Sequence, residues 1–197
     1  MDGIRLAGDA VLTAVAEAVV DVADAELVAE VARLHAALAA FRAAKGFGRA
    51  IAAPQIGVSK RFVALDLGSS AEGTDLADLA AAGPFTIFNP AIVWRSDETM
   101  TLWDNCLSFP WLMVRTQRAV SISVTFQDAD GVTHTAQALP PALSELLQHE
   151  LDHLDGVLAL DKAIRDDGVI SFVARNLYDA DPARYNTLVD YAIEPTV

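Results

Sequence analysis

The stretch PPALSELLQHELDHLDG, 140–156, constrains this chain more than any other. Proline is tolerated in the first turn of a helix and glycine can close one. Pro140, Pro141 and Gly156 therefore bracket a helix of about 14 residues, roughly four turns. Positions i and i+4 lie one turn apart on one helix face. His149 and His153 can thus bind one metal ion, and Glu150 sits beside that face, able to reach a water on the metal without being a ligand. Such a metal lowers the pKa of the water, and the glutamate takes its proton. The bland alternative is two histidines that cap or pair in an ordinary helix, because a bare H-E-x-x-H arises by chance in many sequences. A third ligand decides between the two.

Downstream the chain offers a poor one. In the metzincin pattern H-x-x-G-x-x-H the glycine is present as Gly156, but Ala159 stands where the third histidine belongs. A gluzincin needs a glutamate on a following helix, and the one glutamate after His153 is Glu194, almost at the C-terminus. Upstream, WDNCLSFP carries Cys106, the chain's single cysteine. A thiolate and two imidazoles make a sensible tetrahedral site with one open position for water. Further upstream lies GRAIAAPQIG. Its small residues Gly48, Ala50, Ala52 and Ala53 let backbone approach a ligand closely, and Gln55 offers an amide donor suited to an oxyanion. The same stretch also reads as a tight loop entering a strand.

Composition narrows the setting. The 197 residues suit one domain, or one domain with a tail. At 53% hydrophobic and 21% charged, the chain can bury a sizeable core and is not disordered. No apolar run reaches the roughly 18 residues of a membrane span. The N-terminal MDGIRLAGDAVLTAV has no basic region, so no signal peptide is expected. A net charge of −13 argues against nucleic acid and anionic membranes as partners, and otherwise reads as solubility. One cysteine excludes a disulfide within the chain and fits a reducing cytoplasm.

Along the chain, AELVAEVARLHAALAAFRAA predicts a helix: Leu27, Val31, Leu34, Leu38 and Phe41 recur at helical steps, and Gly46 ends the run. RFVALDL, 61–67, reads as a buried strand and SSAEGTDLADLAAAG as a surface excursion without a period. FTIFNPAIV reads as a second strand whose proline points to an edge or an irregularity. AVSISVTFQDADGVTHTAQAL is a hairpin turning at DADG. Beyond Asp161 one or two more helices are expected, around 168–178 and 182–191.

Three segments, taken in order, resemble the peptide deformylases. That family carries G-x-G-L-A-A-P-Q, then E-G-C-L-S, then Q-H-E-x-D-H-L-x-G. Here they read GRAIAAPQ (48–55), DNCLS (104–108) and QHELDHLDG (148–156), the last a complete match. FTIFNPAIV is similar to the family's N-P strand, DGV to its hairpin turn, and GVLALDKA to the strand after the motif helix. The resemblance covers roughly 6–162. It implies an α+β fold with mostly antiparallel β-sheets packed around a central H-E-x-x-H helix; the residue pattern adds an N-terminal helix and, outside the resemblance, a helical C-terminal tail. The catalytic domain would be 1–165, and 166–197 the tail of the same domain. It implies one divalent metal ion, commonly ferrous iron in the cell, with zinc, nickel or cobalt able to substitute. Cys106, His149 and His153 look like the ligands and Glu150 like the general base and later the general acid. Gln55 and the backbone N–H of Leu107 look like the oxyanion donors. The implied reaction removes the N-formyl group from the formyl-methionine end of nascent peptides and releases formate.

The departures from the family pattern concern the substrate side. Ala50 replaces the second glycine, Ile51 a leucine, Asp104 a glutamate and Asn105 a glycine, and Arg49 fills the variable position. The resemblance places the pocket for the first side chain among Gly48, Arg49, Ala50, Leu102, Asn105 and the helix turn holding Glu145 and Leu146. Helix geometry independently puts the last two near the metal face. The family usually has an apolar residue where Glu145 stands, and a carboxylate facing an apolar pocket is costly if unpaired. Arg49 is a candidate partner, and the pair would reshape side-chain selectivity. Otherwise Glu145 rotates to solvent and Arg49 covers the surface. Trp111, Leu112 and Met113 either flank the cleft or seal a core edge, and Arg115 is the candidate partner for Asp104. From Asp161 onward four Lys/Arg face seven Asp/Glu, which argues against docking on the ribosome through a basic tail. Two other functions stay open: a formyl-amide hydrolase for a non-ribosomal substrate, such as a small metabolite, and a non-catalytic, metal-retaining peptide-binding relative.

Overall fold

In the computed structural model, which describes residues 3–165 and 168–193, the first long element is α1, Ala25–Lys45. Asp24 caps it, its carboxylate accepting the Leu27 N–H at 2.9 Å. Gly46 ends it in the left-handed conformation, φ 76°. Leu27, Leu34, Leu38 and Phe41 form its buried stripe, as the periodicity predicts, while Val31 is only partly buried.

Two antiparallel sheets carry the rest. Five strands pair in the order β1-β2-β3-β6-β7, and three in the order β4-β5-β8. Their ranges are β1 Ala50–Ala52, β2 Phe62–Leu65, β3 Phe85–Arg95, β4 Thr99–Asn105, β5 Leu112–Ala119, β6 Ile122–Gln127, β7 Thr133–Leu139 and β8 Phe172–Ala174. Successive side chains of a strand point to opposite faces. In β2, Phe62 and Ala64 pack with the leucines of α1. Val63 and Leu65 pack with Leu143, Leu146, Leu147 and Leu154 of a third helix. The strand is apolar throughout because both its faces are covered.

Pro90 lies in β3, which is paired on both sides, so the edge alternative falls and the irregularity holds. The register slips between Phe88 and Ala91, and Asn89 takes φ 49°, a conformation asparagine tolerates better than most residues. Its side chain replaces lost ladder bonds. Oδ1 accepts the Val19 N–H at 2.8 Å, and Nδ2 donates to the Val19 carbonyl and to Gln127 Oε1. SSAEGTDLADLAAAG is more than a surface excursion. It holds a 3-10 turn, Gly68–Ala71, and the short helix α2, Ala77–Ala81. Ala71, Leu76 and Ala80 enter the core. They fall on separate short pieces, so no single period links them.

The β4–β5 hairpin was not foreseen. Its register pairs Trp103 with Arg115, Asp104 with Val114 and Asn105 with Met113. Directly opposed residues share a face. Leu102, Asp104, Val114, Thr116 and Arg118 therefore look one way, and Trp103, Met113 and Arg115 the other.

The third helix, α3, spans Pro141–Leu154, matching the helix bracketed in the sequence. Gly156 follows at φ 71°, and a Cβ there would come within 2.8 Å of the Thr13 backbone. Conformation and close approach both demand glycine. Beyond it, 157–163 forms turns and not the strand expected for GVLALDKA.

The tail is not purely helical. Part of the helix expected over 168–178 is the strand β8, added to β5 through Met113↔Val173. It is followed by α4, Arg175–Ala180, and α5, Pro182–Asn186. Tyr185 packs with Trp103, Met113 and Val173, so the tail is built onto the outer face of the three-stranded sheet. Residues 1–2, 166–167 and 194–197, Glu194 among them, lie outside the described residues. Among those described, no helix is long and apolar enough to cross a membrane.

Candidate active site

Strand β4 delivers Asp104 and Asn105, and the chain then turns through Cys106. Helix α3 delivers His149 and His153 from successive turns, their ring centroids 4.9 Å apart. Cys106 Sγ lies 3.2 Å from His153 Nε2. One ligand atom from each of Cys106, His149 and His153 lies within 4.8 Å of the others, and all three residues are buried. A thiol and two imidazoles so placed fit a first-row divalent ion with a coordination position left over. A neighbouring atom agrees: Glu150 Oε2 is buried without a hydrogen-bond partner, which buried polar groups seldom tolerate.

Charge around the triad is organised by Asp104. Its Oδ1 is 2.9 Å from His149 Nδ1, an ion-pair separation without the alignment of a hydrogen bond. Its Oδ2 accepts from Arg118 Nε at 3.1 Å and Nη2 at 2.7 Å. Arg118 Nη1 continues to Asp152 at 2.9 Å, and Lys162 donates to the same carboxylate at 2.6 Å. Arg118, and not Arg115, is therefore the brace. Arg115 lies on the opposite face of the hairpin, its Nε donating to the Ile170 carbonyl at 3.2 Å.

Burial pushes the Asp104 carboxyl up, but His149 and Arg118 outweigh it and hold it well below the usual carboxylate range. Burial opposes charge on His149 too, yet Asp104 and Cys106 raise it well above the ordinary histidine value. His153 is pushed well below that value, by burial first and the neighbouring His149 second. A neutral ring keeps a lone pair for a ligand. Burial pushes Glu150 up to about 7, against the pull of His149, so the carboxyl can both take and give a proton near neutrality.

Gln55 reaches the same centre. Its Oε1 accepts the Ala52 N–H at 2.9 Å, which turns Nε2 toward Ser108 Oγ at 3.1 Å and Cys106 Sγ at 3.6 Å. The Ser108 N–H also points at Cys106 Sγ, at 3.4 Å.

A cavity of about 300 Å³ opens onto His149, Glu150 and Leu107. Gly48, Arg49, Ala50, Asn105, Glu145 and Leu146 line it. Leu102 does not: it is fully buried on the hairpin face shared with Asp104, and its neighbour Trp103 meets the cavity instead. Glu145 does not turn to solvent. It pairs with Arg49 Nη2, while Arg49 Nη1 donates to the Ala142 carbonyl at 2.8 Å. Burial raises the Glu145 carboxyl and Arg49 opposes it. Met113 lines the cavity, Leu112 packs against the core holding Cys106, and Trp111 is exposed.

A protein-family model described as polypeptide deformylase matches residues 1–168. The chain belongs to the polypeptide deformylase family. The peptide deformylase of Thermotoga petrophila is 35% identical over 115 residues, 58% of this chain and 62% of that protein. The match thus spans less than two thirds of that relative's length. The Chloroflexus aurantiacus peptide deformylase is 33% identical over 145 residues, 72% of this chain and 74% of that protein. Among solved structures, the Thermotoga maritima peptide deformylase superposes with a TM-score of 0.67 at 31% identity, covering 82% of this chain and 97% of that one. The Ehrlichia chaffeensis peptide deformylase, in complex with actinonin, gives 0.69 at 27% identity, covering 94% and 96%.

Two parts of this deformylase-family site escaped the sequence. Arg118 is one. The alternation in TMTLWDN and LMVRTQRA was the available signal for a hairpin, and its register separates Arg118 from Arg115. The tail is the other: Arg175, Tyr178, Asp179 and Asn186 line the cavity, although they lie beyond the matched residues. Their sequence carries no motif.

Proposed function

We propose that this chain hydrolyses the N-formyl group from the first residue of formylated peptides, the formyl-methionine ends of new proteins included, and releases formate. One observation carries the reading: the buried Cys106, His149 and His153, with Glu150 beside them at the wall of a cavity. In this reading α3 is the central element about which both sheets pack, holding His149, Glu150 and His153 rigid relative to one another. Cys106, His149 and His153 would hold a divalent ion, ferrous iron in the cell with zinc, nickel or cobalt able to substitute, and it would supply Lewis acidity and lower the pKa of water. Glu150 accepts a proton from the attacking water on a carboxylate oxygen and then passes it to the departing amine. Gln55 Nε2 and the Leu107 backbone N–H donate to the formyl oxygen as it gains negative charge. Asp104, braced by Arg118, orients the His149 ring. A thiol ligand and no second cysteine fit a reducing cytoplasm, and the net acidity of the tail sequence argues against docking on a ribosome through a basic tail.

A second reading is a formyl-amide hydrolase with a different substrate. The charged pair Arg49–Glu145 in the cavity wall favours it. Formate release from formyl-Met-Ala by anaerobically purified, iron-loaded protein tests the first reading. No formate from any formyl peptide, with metal demonstrably bound, refutes it.

A further inference from the structure

Two residues from different elements form one wall of the cavity as an ion pair. Arg49 comes from the loop entering β1, and Glu145 from the turn of α3 ahead of His149. Their side chains are 10% and 3% exposed, so this is not a surface contact. The second arm of the guanidinium is fixed on the Ala142 carbonyl, which leaves the pair little freedom to swing away. A buried ion pair is a weak stabiliser, since apolar residues of the same volume often serve the fold as well or better. Stability therefore does not account for its place. The tail adds polar groups to the same cavity beside the apolar Pro182 and Ile193: Arg175 Nε holds Asp179 at 2.7 Å, and the Tyr178 hydroxyl donates to Asn186 at 2.8 Å.

An apolar substrate side chain entering this space strips water from these groups and returns no hydrogen bonds. A side chain ending in an amide or hydroxyl returns them. We infer that the cavity selects formylated substrates whose first side chain is polar and hydrogen-bonding over apolar ones of the same size, with Arg49 and Glu145 setting that preference. The inference rests on the deformylase reading and names its substrate class.

Glutamine and norleucine are nearly the same size and differ in polarity. The test is kcat/KM for formyl-Gln-Ala against formyl-norleucyl-Ala, measured by formate release with the metal-loaded full chain. The wild type is expected to favour glutamine by about tenfold or more, since a site built to hydrogen-bond rejects an analogue that cannot. Replacing the pair together, Arg49→Leu with Glu145→Leu, is expected to lower that ratio by about tenfold or more. If the double variant does not fold, Arg49→Lys keeps the charge but loses the two-armed grip, and the ratio should fall in it as well. A wild-type ratio at or below one overturns the inference, as does a ratio the substitutions leave unchanged. Formate from both peptides with norleucine preferred overturns only this inference. No formate from either of them or from formyl-Met-Ala, with metal bound, overturns the deformylase reading and this inference with it.

Discussion

Arg118 reaches back along one face of the β4–β5 hairpin to grip Asp104, with Nη2 at 2.7 Å and Nε at 3.1 Å from the same carboxylate oxygen. The partner oxygen of Asp104 faces His149. A ligand of the candidate metal centre is thus held in place from a strand to which it is not bonded. Both Arg118 and Asp104 are almost wholly buried, so removing one partner leaves an uncompensated charge in the interior. Arg118→Met is expected to destabilise the fold by about 3–5 kcal/mol. Urea denaturation followed by circular dichroism measures it, and a loss near zero would remove Arg118 from the account.

Asp104→Asn separates orientation from stability. The amide keeps the shape but loses the charge that holds the His149 ring. Loss of such an outer partner typically weakens metal binding by about 10–100-fold. Competition against a chelator of known affinity reads this directly, and unchanged affinity would mean that His149 is positioned by packing alone.

Glu150→Gln removes the proton acceptor without touching a ligand. Formate release is expected to fall about 10²–10⁴-fold, with metal content held at the wild-type level. A variant that loses metal in step with activity would instead make Glu150 a structural support of the site.

The helix bearing this chemistry was legible because its signals are local. Prolines, a glycine and an i,i+4 pair lie within one stretch, and α3 occupies the expected span. The choice between Arg115 and Arg118 was not legible, because it depends on which face each residue takes, and faces follow from a register set across two strands. Strand β8 was missed for a similar reason. Three residues, Phe172–Ala174, make a strand only because β5 offers them an edge. At Glu145 the helix gave the direction of the side chain, but its pairing depended on where a loop 96 positions away in the chain would settle.

The tail's hold on the sheet gives a further test. Trp103 is 2% exposed, stacks edge-on against Tyr185 at 6.2 Å and donates its indole N–H to the Tyr185 carbonyl at 2.8 Å. Trp103→Phe keeps most of the apolar contact and loses that bond, so a loss of about 0.5–1.5 kcal/mol is expected. Trp103→Ala also opens a cavity beneath the tail, and about 3–5 kcal/mol is expected. Thermal melts of the two variants check the order. Equal losses would mean that the hydrogen bond, and not the packing, ties the tail down.

Away from the site, His35 gives stability a pH dependence whose sign can be worked out. It is half-buried on α1 with Nε2 2.8 Å from Thr86 Oγ1. Burial lowers its pKa below the ordinary 6.5, with Asp66 pulling the other way. The unfolded chain therefore takes up this proton first as pH falls, and proton uptake by the unfolded state favours unfolding. The stability that His35 contributes is fully present above about pH 6.5. It declines as pH drops from there toward the depressed folded value, and the loss levels off below it. His35→Gln retains a hydrogen-bonding group but cannot titrate. Its melting temperature should fall less steeply than that of the wild type between about pH 7 and 5. Parallel slopes in the two proteins would show that His35 titrates alike in the folded and unfolded chains.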